Sequence, residues 1–94
     1  MQARNGILRG ELKVKNGKLI KCRIVLKNST IEDIKFHGDF FIYPEEKIEE
    51  IEKKMKGIRY EEEEIKKILY ENFSGLEIIG ATIEDFLKAI IDAK

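Results

Sequence analysis

Residues 20–27 read Ile20-Lys21-Cys22-Arg23-Ile24-Val25-Leu26-Lys27, and this stretch decides the fold. Apolar and charged side chains alternate with a period of two, the pattern of a strand with one face buried and the other in water. Ile20, Cys22, Ile24 and Leu26 take the core face, while Lys21, Arg23 and Lys27 take the outer one. The preceding stretch repeats the pattern, with Leu8, Gly10, Leu12 and Val14 alternating with Arg9, Glu11, Lys13 and Lys15. Asn16-Gly17 joins the two as a hairpin signal, since both residue types tolerate positive φ. Asn28-Ser29 supplies the next turn. A third strand then directs Ile34 and Phe36 inward and Lys35 and His37 outward. The result is a three-stranded antiparallel meander, apolar on one face and basic on the other.

Past Tyr43 the apolar period changes. Pro44 suits the first turn of a helix, where its missing N–H is no loss, and Glu45 and Glu46 suit the positive end of the helix dipole. Ile48, Ile51 and Met55 form one helical stripe, and Gly57 fits a C-terminal cap. A second helix is expected from about Glu61 to Phe73, burying Ile65, Ile68, Leu69 and Phe73 and ending at Gly75. Residues 76–80 read equally as a short strand or a loop. Thr82 and Asp85 have capping-box spacing before a third helix that buries Phe86, Leu87, Ile90 and Ile91. The sheet needs a cover and the helix stripes need a floor. The fold class is therefore α+β: a three-stranded antiparallel sheet covered on one face by about three helices, in a single domain over residues 1–94.

Composition bounds the chemistry. The chain has 94 residues, 43% hydrophobic and 38% charged, which is the balance of a folded chain with room for one core. No apolar run approaches the roughly 18 residues of a membrane span. Arg4, Arg9 and Glu11 interrupt any signal-peptide core, so the expected compartment is the cytoplasm. One cysteine, Cys22, excludes an internal disulfide, and one histidine, His37, excludes a His-rich metal site or a second base for a triad. Cys22 sits among core aliphatics and reads as a small hydrophobe. The four glutamates at 61–64 fan around a helix about 100° apart and do not converge on a metal. Neither a GxxxxGK[ST] nor a GxGxxG loop is present. No catalytic residue and no metal ligand are expected.

Charge is uneven although the net is zero. Residues 1–38 hold nine Lys or Arg against three acids, and residues 39–94 hold nine against fifteen. The basic strand face, with Lys13, Lys15, Lys21, Arg23 and Lys35, is either a solvated surface or a site for an anionic partner. A small nucleic-acid-binding module is the alternative function on this face. RNA readers of this shape place aromatic platforms there, and Phe36 points the other way by parity. The abundance of Lys, Glu and Ile resembles a thermophile's composition.

One segment fits none of these readings. Gly38-Asp39-Phe40-Phe41-Ile42-Tyr43 sets three aromatics and an isoleucine in four positions, more than alternation can bury in one small core. It is either a bent crossover feeding both sides of the core or a partly exposed docking edge. Gly38, Asp39, Phe40, Phe41 and Tyr43 are the candidate interface.

From here the chain resembles a known family, the C-terminal accessory domain of lipoate–protein ligase. The resemblance runs from about Gly10 to Ile90. It rests on Lys15-Asn16-Gly17-Lys18-Leu19-Ile20, on Ile31-Glu32-Asp33-Ile34-Lys35-Phe36-His37-Gly38-Asp39-Phe40-Phe41, on Ile48-Glu49-Glu50-Ile51-Glu52, on Gly57-Ile58-Arg59-Tyr60 and on the helix start at Thr82. The resemblance implies an accessory subunit needed to activate lipoate to lipoyl-adenylate and much less for lipoyl transfer. It implies a heterodimer with a separate catalytic subunit, since no ligase domain precedes Met1. Acceptors would be H protein and the E2 subunits of 2-oxoacid dehydrogenases. The complex would use ATP, Mg and lipoate, with no cofactor bound by this chain and no membrane or nucleic-acid partner. The basic strand face would add positive potential near the phosphates.

Overall fold

The computed structural model describes residues 5–14 and 18–94. β2 (Leu19–Lys27) is the central strand, flanked antiparallel by β1 (Gly6–Lys13) and β3 (Thr30–Gly38). The alternation read from residues 20–27 is reproduced: Ile20, Cys22, Ile24 and Leu26 are buried and Lys21, Arg23 and Lys27 exposed. Asn16-Gly17 lies outside the described residues. The strands it separates pair with Leu12 opposite Ile20 and Lys13 opposite Leu19. At the next turn Asn28 and Ser29 take φ of 53° and 63°, the positive values a two-residue hairpin of matching twist requires. β3 carries a bulge that periodicity does not reveal. Val25 faces Asp33 while Leu26 faces Ile31, so Glu32 has no partner across the ladder. That extra residue lets both Ile31 and Ile34 reach the core although they are three apart.

Phe41–Tyr43 forms a short strand, β4, before the first helix. Pro44 therefore does not enter that helix, contrary to the sequence expectation. It follows a cis peptide bond, and a turn closed by the Lys47 N–H on the Pro44 carbonyl (3.1 Å) leads into α1 (Lys47–Met55). Residues held extended in β4 need that turn before helical dihedrals can begin. α2 (Glu62–Phe73) follows Gly57, whose φ of +90° suits the expected cap. β5 (Glu77–Ile79) then pairs antiparallel with β4, making a second, two-stranded sheet that the sequence left open. Thr82 and Asp85 form the expected capping box ahead of α3 (Ile83–Ile91).

The helices close one face of the larger sheet. α3 packs on β1 and β2, α1 packs on β3, and α2 packs on both of those helices. Gly10 explains how closely α3 approaches: a Cβ there would strike the Ala89 carbonyl oxygen and the Cys22 sulfur. Phe86 is the hub of the core. Phe36 and Phe40 meet it edge-on, with centroids 5.5 and 4.8 Å away, and Phe73 stacks on it at 4.9 Å. Such geometries add modestly to the area each ring buries.

Candidate partner interface

The corner between the two sheets is built by Gly38 and Asp39. Gly38 faces Ile20 at the end of β3 with φ of +151°, and a Cβ there would collide with the Leu19 carbonyl. The Asp39 N–H donates to that carbonyl at 2.8 Å, and Asp39 Oδ2 accepts the Leu19 N–H at 3.3 Å. This two-bond clamp ends β3 and turns the chain into β4. Phe40 is half-buried against Phe86. Beyond it the pleat divides the remaining residues: Ile42 is 5% exposed, while Phe41 and Tyr43 are 58% and 44% exposed. Across the ladder Phe41 faces Ile79, itself 42% exposed, and Tyr43 faces Glu77. The outer face of this ribbon thus carries Phe41, Tyr43 and Ile79 together. Ile79 escaped the sequence reading because a three-residue strand is too short for alternation to register.

The outer face of the larger sheet contrasts with this corner. Arg9 faces Arg23, which faces Lys35, and Glu11 faces Lys21, which faces His37. Lys13, Lys21, Arg23 and Lys35 are all exposed, and Lys15 lies outside the described residues. Lys35 reaches the buried Glu52 carboxylate at 3.6 Å. Among the described residues no carboxylate pairs with Lys13, Lys21 or Arg23. Like charges directly across strands repel, so the Arg9–Arg23 pair is a local liability in the isolated chain. Among the described residues this face carries no Phe, Tyr or Trp.

The single reactive residue types sit where the sequence placed them. His37 is exposed on the outer face. Cys22 is buried, and desolvation pushes its thiol from an ordinary 9.0 up to about 11, partly offset by a hydrogen bond with the Gly10 backbone. Its sulfur also lies 3.5 Å from the Ala89 carbonyl. Residues 61–64 are exposed; Glu61 pairs with Arg59 at 3.5 Å and Glu64 accepts the Arg59 N–H at 3.1 Å. Among the described residues no three metal-ligating side chains converge. No helix of the described residues is long and apolar enough to cross a membrane.

Taken together, fold and surfaces define a small α+β module with an apolar corner and a basic sheet face. A family described as bacterial lipoate protein ligase C-terminus matches residues 9–90. Lipoate-protein ligase A subunit 2 of Thermoplasma acidophilum is 34% identical over 79 residues, covering 83% of this chain and 81% of that protein. A chain from a solved structure of an archaeal lipoylation system, a bipartite lipoate protein ligase and its E2 lipoyl domain from the same organism, superposes with a TM-score of 0.82. It is 30% identical, with 93% of this chain and 97% of that one covered. The protein belongs to the lipoate protein ligase C-terminal family.

Proposed function

We propose that this chain is the accessory subunit of a two-subunit, ATP-dependent lipoate–protein ligase, acting in the cytoplasm. One observation carries the reading: the likeness to a protein named as a ligase subunit covers most of both chains. The catalytic subunit would hold lipoate, ATP and Mg, and this chain would dock on it through Phe41, Tyr43 and Ile79. Its role would fall on activation. Forming lipoyl-adenylate brings together two anions, a carboxylate and a triphosphate, and gives a product that water destroys. A docked second subunit helps such a step by excluding water and holding the reactants in line. Transfer to a lysine of H protein or an E2 domain needs less of this help, because the mixed anhydride is already formed.

A lipoylation assay with the catalytic subunit, with and without this chain, tests the reading. Lipoyl-adenylate formation should depend on the chain, and the two should co-elute as a heterodimer. A stable interface should bury more than about 1,000 Å². Unchanged turnover on adding the chain would remove the proposal. The described part of the basic face has His37 but no Phe, Tyr or Trp to serve as a stacking platform, which weighs against the nucleic-acid alternative.

A further inference from the structure

Two surface grooves of about 680 Å³ each lie among the described residues. One is balanced in charge, set between Arg9 and Lys94 on one hand and Glu11 and Asp92 on the other. The other is not. Lys13 at the end of β1, Lys18 just before β2 and Lys88 on α3 line it together, against one acid, Asp85. Asp85 is held in place by its carboxylate, which accepts the Thr82 N–H at 2.9 Å within the capping box, and it leaves the groove with an excess of two positive charges. Among the described residues none of the three lysines has an ion-pair partner. The Lys18 stem lies over Gly80, whose missing Cβ would stand 3.3 Å from Lys18 Cδ and 2.7 Å from the Asp39 carbonyl oxygen. Gly80 thereby keeps the groove open and ties its wall to the Gly38–Asp39 corner that leads to the exposed aromatics.

Three ammonium groups brought together from β1, the residue before β2 and α3, against the one carboxylate of Asp85, give the groove a net positive charge suited to a multiply charged anion. We infer that this groove binds the β- and γ-phosphates of the ATP used in lipoate activation. The inference rests on the function proposed above and adds the substrate group this chain would contact. In that step a lipoate carboxylate oxygen attacks the α-phosphorus. The bond from the α-phosphorus to the bridging oxygen breaks, and pyrophosphate leaves with the electron pair. Lysines on the leaving group stabilise the charge that develops on it. The same placement accounts for a subunit needed in activation and dispensable in transfer. Pyrophosphate is present only in the first step. This also moves the expected electrostatic role from the outer sheet face to the groove, with Lys13 common to both.

The test is the complex carrying K13Q/K18Q/K88Q in this chain, with K13R/K18R/K88R as the charge-preserving control. The expected result has three parts. Subunit association is unchanged, the KM for ATP rises about tenfold or more, and transfer from preformed lipoyl-adenylate keeps its rate, as loss of charge-assisted contacts to the leaving group requires. The arginine variant should restore most of the ATP affinity. As a second measurement, tripolyphosphate titrated into the complex with this chain labelled should shift the Gly80 and Thr82 amide resonances. An unchanged KM with association intact overturns the inference. So does an equal loss of transfer, or a loss of association, which would show that the groove receives an acidic surface of the other subunit. Should the glutamine triple variant not fold, Lys18→Gln alone decides by the same criteria. If the unmutated chain fails to stimulate activation at all, the proposed function fails, and that shows before any variant is made.

Discussion

The two ends of the β3 region are treated in opposite ways. Along its outer edge β3 is sealed. Its Phe36 N–H donates to Glu52 Oε2 at 2.9 Å, its Ile31 N–H donates to the Ile58 carbonyl at 2.8 Å, and its Ile31 carbonyl accepts the Gly57 N–H at 2.7 Å. An unsealed strand edge is a template for unwanted pairing, and here α1 and the segment after it occupy that edge. Beyond Gly38 the chain does the reverse. The β4–β5 ribbon turns Phe41, Tyr43 and Ile79 outward, where they gain nothing for the isolated fold. Where a polypeptide spends a buried carboxylate to close an edge, the reason is stability. Aromatics left in water on a built ribbon are what the proposed docking on a partner would cover.

Four substitutions sharpen that contrast. The largest effect should come from Phe86→Ala at the hub of the core, which removes the ring that Phe36, Phe40 and Phe73 all contact. A loss of about 3–5 kcal/mol in urea unfolding is expected. Glu52→Ala comes next, since it leaves the buried Phe36 N–H without its acceptor and frees Lys35. About 1–3 kcal/mol is expected, with Glu52→Gln milder because it retains an acceptor oxygen. If alanine and glutamine prove equal, the edge-sealing account is wrong.

A pH effect follows for Cys22. Its folded pKa is raised from 9.0 to about 11, so burial of the neutral thiol contributes fully below pH 9 and is lost as pH climbs toward 11. Melting curves of the native chain and of Cys22→Ala should run parallel below that window and converge within it. Curves that stay parallel throughout would show that the thiol ionises as easily folded as unfolded.

Phe41→Ala should be the mildest for stability, within about 0.5 kcal/mol, because the ring is mostly in water. It should still weaken lipoyl-adenylate formation while leaving transfer from preformed adenylate intact. Phe40→Ala is a poorer probe, since Phe40 packs on Phe86 and its loss mixes stability with docking. A Phe41→Ala chain that loses both steps equally would contradict the division of labour.

Much of this architecture was legible in the residues. Alternation gave the faces of β1 and β2 and of the second half of β3, because a half-buried strand writes its environment into every second residue; the bulge at Glu32 broke the pattern in the first half of β3. The Asn28-Ser29 turn and the Thr82–Asp85 capping box were equally plain, since each depends on two or three neighbours in sequence. Less legible were features that join distant positions. Glu52 reads as one more exposed helix acid until β3 is laid beside it. Ile79 joins Phe41 and Tyr43 on the exposed face only because β5 pairs with β4, far away in sequence. Lys13, Lys18 and Lys88 share a groove through the packing of α3 on β1 and β2.

The sequence by itself determined the sheet and its helical cover, the alternation of β1 and β2, the Thr82–Asp85 cap of α3 and a family likeness carried by residues 31–41. Only the tertiary structure decided which of the Gly38–Tyr43 aromatics face outward, what seals β3, and which lysines converge. The reason is physical: period and capping are set by neighbours along the chain, whereas exposure and convergence are set by whatever the fold brings alongside.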